Sequence, residues 1–135
     1  MTTDPTAVAA AFYATIEKAW NDGDGPGFGG EFADDTIFVD IRGVKHHGGA
    51  EEVGESHQWI FDTIYKGSVI RYEPTDVVAL GDDVIVANGH ATLDCPSGPL
   101  VGVHEAVSTV VLVPVDGAWK AVRFHNTMIT EMPSS

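Results

Sequence analysis

Trp20-Asn21-Asp22-Gly23-Asp24, then Phe32-Ala33-Asp34-Asp35-Thr36-Ile37-Phe38-Val39-Asp40-Ile41-Arg42, then Gly43-Val44-Lys45-His46-His47-Gly48-Gly49 is the stretch on which the fold turns. Gly23 closes a helix, because glycine takes the left-handed conformation that ends one at little cost. A strand is expected over residues 36–42, followed by a polar loop. The strand is built for burial yet carries one carboxylate, Asp40. Such an acid is either a structural group capping backbone amides at a strand end or the polar end of a pocket.

Working outward, Asp4 followed by Pro5 predicts a helix start. Val8, Phe12, Ile16, Ala19 and Trp20 then form one apolar stripe bordered by Tyr13. Residues 25–30, Gly-Pro-Gly-Phe-Gly-Gly, hold four glycines and read as a short mobile connector. Helix spacing returns over residues 50–66, where Val53, His57, Ile60, Phe61 and Ile64 share a face, which puts His57 on the apolar side. Gly67 closes that helix. Strands are expected over residues 68–80, 84–93, 100–115 and 119–130, with turns at Gly81-Asp82-Asp83, Cys95–Pro99 and Asp116-Gly117. The tail from Glu131 is expected to fray. Helices first and antiparallel strands after give an α+β class, with helices laid over one curved sheet around a hollow.

The 135 residues suit one domain, residues 1–135, able to bury about 65–70% of its unfolded surface. Twenty acids against seven bases leave a net charge of −13, which argues against nucleic acid and anionic membrane as partners. The apolar runs are too short to span a bilayer, and Met1–Pro5 does not read as a signal peptide. With one cysteine, Cys95, no internal disulfide is possible. A cytoplasmic setting is expected. Val107, Val110, Val111, Leu112 and Val113 are apolar on both faces of their strand, so both faces want cover. Helices suit one, a second subunit the other.

The order of these motifs, ending in Gly117-Ala118-Trp119-Lys120 and Phe124-His125-Asn126, resembles the NTF2-like superfamily in its SnoaL-like branch. Gly43-Val44-Lys45-His46-His47-Gly48-Gly49-Ala50-Glu51 and Arg123-Phe124-His125-Asn126-Thr127 are similar to the SgcJ/EcaC group, especially to its small NTF2-like proteins of enediyne antibiotic biosynthesis. The resemblance implies a cone-shaped α+β barrel with a pocket for a hydrophobic, polyketide-like small molecule, paired as a homodimer through the sheet. It implies no cofactor. In the steroid isomerases of this superfamily an Asp ending the strand after Phe-Ala-Asp-Asp is the general base, and Asp40 occupies that position. The position of their oxyanion tyrosine is Ile16 here, and their second, protonated Asp has no counterpart.

Two functions from different classes follow. One is cofactor-free cyclisation, isomerisation or dehydration of a polyketide or polyene, with Asp40 as base and Arg42 or His125 polarising the substrate. The other is a non-catalytic binding or accessory role. Tyr13, Trp20, His46, His57, Trp59, Phe61, His90, His104 and Asn126 are the candidate ligand contacts. For the aromatic residues ordinary core packing is the rival reading, and for His57 a satisfied core histidine. His90, His104 and His125 lie on successive strands, but no close-set metal motif occurs and no metal is expected.

Overall fold

The computed structural model describes residues 3–131. Helix α1 spans Pro5–Asn21, α2 Gly25–Gly29 and α3 Ala50–Asp62. The strands are β1 Phe32–Val39, β2 Lys45–His47, β3 Val69–Ala79, β4 Ile85–Cys95, β5 Gly102–Val115 and β6 Ala118–Met128. They form one sheet in the order β2-β1-β6-β5-β4-β3. All neighbours are antiparallel except β1 and β6, whose parallel pairing brings Phe38 beside Phe124. This is the expected α+β architecture, helices over a curved sheet.

Helix α1 starts as its sequence dictates. The Asp4 carboxylate accepts hydrogen bonds from the Thr6 and Ala7 amides, two donors that have no partner within the helix. Ala9, Phe12, Tyr13, Ile16, Ala19 and Trp20 are buried against the sheet. Each large side chain among them contributes about 1.5–3 kcal/mol of burial. Gly23, at φ +66°, ends the turn.

Four local readings are corrected. The connector over residues 25–30 is a helix, α2, with Asp24 capping the Gly27 amide at 3.0 Å. Its glycines serve close approach to α3: a Cβ on Gly25 would stand 2.6 Å from Gln58 Cβ, and one on Gly29 2.7 Å from Gly54 N. Strand β1 starts at Phe32 rather than Thr36 and ends at Val39, so Asp40 lies in the turn just past it. The polar loop contains a short edge strand, β2, paired to β1 with His46 opposite Phe38. Helix α3 ends at Asp62, and turns carry the chain on to Gly67, at φ +77°. The expected fraying beyond Glu131 concerns residues 132–135, outside the described residues.

Alternation in the sheet sorts its two faces. Ile85, Ala87, Ala91 and Leu93 on β4, with Ser108, Val110 and Leu112 on β5, lie under the helices. Val107 faces the other way and is 47% exposed. Among the described residues no helix is long and apolar enough to cross a membrane.

Candidate functional site

Asp40 owes its position to the β1–β2 hairpin. Its own amide donates to the Val44 carbonyl and its carbonyl accepts from Gly43, so the turn is closed at the backbone before the side chain acts. The carboxylate then takes four hydrogen bonds. Oδ1 accepts from the backbone amides of Arg42 and Val44 at 2.9 and 3.1 Å. Oδ2 accepts from Arg42 Nη2 at 2.8 Å and His46 Nε2 at 2.9 Å. Partial burial pushes the carboxyl up, but the bonds from Arg42, His46 and the two amides outweigh it and hold Asp40 well below the usual carboxylate range. A carboxylate so satisfied has little tendency to take a proton. The arrangement is that of the structural carboxylate, with Arg42 as its ion-pair partner.

His57 is held in the opposite sense. Helix α3 places it under the sheet, 7% exposed. It stacks on Phe28 with ring centres 4.0 Å apart and meets Phe38 edge-on at 5.0 Å. Nδ1 lies 2.8 Å from the Val53 carbonyl. A carbonyl only accepts, so Nδ1 carries the proton and Nε2 keeps its lone pair. Desolvation lowers the imidazole pKa to about 4, against the opposing pull of the Val53 bond. At neutral pH His57 is an uncharged ring with one acceptor to offer.

Two spaces meet at these residues. An inner hollow of about 70 Å³ lies between the helices and the sheet, walled among others by Trp20, Phe28, Tyr65, Tyr72 and Leu93. An outer groove of about 480 Å³ runs past Arg42, His46, His47, Ser56 and Trp59. Phe38, Asp40, His57 and Ile60 line both. Aromatic side chains fill most of the cone, so the inner space accepts only the end of a ligand.

The structure therefore distributes the candidates from the sequence. Trp20, Asp40, His57, His104 and Asn126 line the hollow. Arg42, His46 and Trp59 line the groove with Asp40 and His57, and Trp59 is a 61% exposed rim residue rather than an interior wall. The other four are placed elsewhere. Tyr13 is buried in the core, its hydroxyl 2.8 Å from Ser108 Oγ and its ring against Gly89, where a Cβ would stand 2.6 Å away. Burial raises its pKa to about 12. Phe61 packs on Trp20 at 5.0 Å, inside the core. His90 and His125 lie on the far face of the sheet, because His125 pairs with Thr109 and His90 with Val107, both on the face away from the helices. His125 lines neither the hollow nor the groove. His104 is turned to the near face, donating to the Leu100 carbonyl at 2.8 Å, so the three histidines do not converge. Among the described residues no group of three His, Cys, Asp or Glu side chains could hold a metal ion.

Two residues missing from the sequence reading belong to the hollow. Tyr65 and Tyr72 are each 8% exposed, and among the described residues neither hydroxyl has a hydrogen-bond partner. Burial raises the Tyr65 pKa to about 12 and that of Tyr72 further, so both are protonated donors. The signal for Tyr72 was its two-residue spacing from Ile70, which sets both on the buried face of β3.

The SnoaL-like domain family matches residues 7–131. The chain belongs to that family. No curated protein matches it. Among solved structures, this SnoaL-like chain is similar to a domain of unknown function with a cystatin-like fold from Nostoc punctiforme, with TM-score 0.85 and 22% identity over 98% of this chain and 82% of that one. An NTF-2 like protein of unknown function from Shewanella oneidensis gives TM-score 0.78 and 16% identity over 92% and 99%. A ketosteroid isomerase-like protein from Erwinia carotovora gives TM-score 0.77 and 19% identity over 96% and 99%. At these identities the likeness is one of fold.

Proposed function

We propose that this SnoaL-like protein binds a largely apolar, polyketide-like or polyene intermediate of secondary metabolism, with one end of the ligand in the hollow and the rest along the groove. The observation that supports it is an aromatic-walled hollow sharing four residues, Phe38, Asp40, His57 and Ile60, with a larger groove. Apolar walls with a few polar groups are the usual composition of a small-molecule site. Enediyne biosynthesis is the setting suggested by the likeness of residues 43–51 and 123–127 to that group. The saturated carboxylate of Asp40 favours a binding or accessory role over general-base chemistry at that residue. Cofactor-free acid/base catalysis is the second reading. It is favoured by the His57 Nε2 lone pair and would use His57, not Asp40.

A polyene probe tests the proposal. cis-Parinaric acid fluoresces when its tetraene leaves water, so titration should give saturable binding of one probe per chain. Ala106 lines the hollow and is only partly buried. The Ala106→Phe substitution should fill the space and weaken binding at least tenfold with an unchanged circular dichroism spectrum. Absence of saturable binding to the wild-type chain would sink the proposal.

A further inference from the structure

Four polar groups of the hollow carry no charge, and the formal charges that line it, Asp40 and Glu105, are both carboxylates. Tyr65 follows α3, Tyr72 is on β3, His57 on α3 and Asn126 on β6. The two phenols have hydroxyls with no partner among the described residues. His57 has spent its only N–H on the Val53 carbonyl and keeps Nε2 as an acceptor. The Asn126 amide oxygen is buried with no hydrogen-bond partner among the described residues. An orphaned buried acceptor destabilises the empty site, so a ligand that satisfies it recovers that loss. The formal charges at its lining do not compensate an anionic guest. Asp40 is already paired with Arg42, and Glu105 brings a second negative charge to the lining. Lys66, Lys120 and Arg123 do not line the hollow.

Resting on the proposed small-molecule site, we infer that the inner hollow selects a neutral ligand end bearing both a carbonyl and a hydroxyl group. The carbonyl accepts from Tyr65 and Tyr72, while the hydroxyl donates to His57 Nε2 or Asn126 Oδ1. A carboxylate at this end is rejected. It would lose its hydration among aromatic rings, and the two phenol donors alone would replace it. A bare hydrocarbon end is accepted weakly, since it leaves the same polar atoms unpaired. A ligand's anionic group, if it has one, belongs in the outer groove, where water reaches it.

Three small probes of similar size separate these cases in calorimetric titrations of the whole chain: 4-hydroxyacetophenone, 4-hydroxybenzoate and ethylbenzene. The hydroxyketone should bind about tenfold more tightly than ethylbenzene and at least tenfold more tightly than the benzoate. Tyr72→Phe and Tyr65→Phe remove one hydroxyl each with little change of shape, and each should cut the advantage over ethylbenzene severalfold. The inference is overturned if 4-hydroxybenzoate binds as well as the hydroxyketone, or if both Tyr→Phe variants keep the wild-type ratio. It is likewise overturned if the hydroxyketone fails to bind a protein that takes up cis-parinaric acid. In each case parinaric acid binding still upholds the site itself, and its absence condemns the site rather than the selectivity.

Discussion

His57 and Asp40 both respond to acid, for opposite reasons that lead to the same sign. His57 titrates near pH 4 when folded and near its ordinary value of 6.5 when unfolded. Between these values the unfolded chain binds the extra proton, so stability is full above about pH 6.5 and falls as the pH drops toward 4. The contribution at stake is roughly 3 kcal/mol. Urea denaturation at pH 7.5 and pH 5 should show about 2 kcal/mol of this loss in the wild type and a smaller one in His57→Phe. Equal losses would mean that His57 is not held neutral. Asp40, whose folded pKa is depressed, adds a second loss at still lower pH, once its carboxyl takes a proton. Asp40→Asn keeps an acceptor for the Arg42 and Val44 amides but gives up the charged bonds to Arg42 and His46. It should destabilise by about 1–3 kcal/mol in urea denaturation at pH 7. Part of this was readable in the chain. The four-residue step from Val53 put His57 on the apolar face, and Arg42 stood two residues from Asp40. The amide bonds match the capping expected of a strand-end acid, whereas His46 reaches Asp40 only when the hairpin closes, which no spacing rule announces.

Helix α2 shows how packing between elements can reverse a local propensity. By composition Gly-Pro-Gly-Phe-Gly is a poor helix, and in an exposed helix a Gly→Ala change gains about 1 kcal/mol. Here the backbones of α2 and α3 approach so closely that the Cβ of an alanine at 29 would run into the Ala50 carbonyl and stand 2.8 Å from Gly54 Cα. Gly29→Ala should therefore destabilise, by about 1–3 kcal/mol in thermal or urea unfolding. A stabilised variant would show that α2 does not sit against α3 in this way. The three residues of β2 are similarly short of sequence signal. They form a strand because β1 offers them an edge, not because Lys45-His46-His47 favours one.

At the scale of the molecule, the far side of the sheet is the surface a homodimer would use. Val103 and Val107 stand exposed there among Asn88, His90, Thr109 and His125, and the proposed homodimer would pair two such faces. Light scattering at micromolar concentration should then return twice the 14.3 kDa chain mass, and Val107→Lys should return it to one chain. A wild-type mass of 14.3 kDa would rule the pairing out. The order of α1, α3, β1 and β3–β6 and the caps of α1 were set by the sequence alone. They follow from short-range rules: a helical period, a two-residue alternation, an acid before a proline, a glycine after a helix. Which polar groups share a space was decided by tertiary structure. Asp40 was drawn into a closed hairpin, His125 and His90 were turned to the far face by strand register, and Tyr65 and Tyr72 were brought in from beyond α3. The physical reason is that a side chain's chemistry depends on its neighbours, and the neighbours that matter here are distant in sequence.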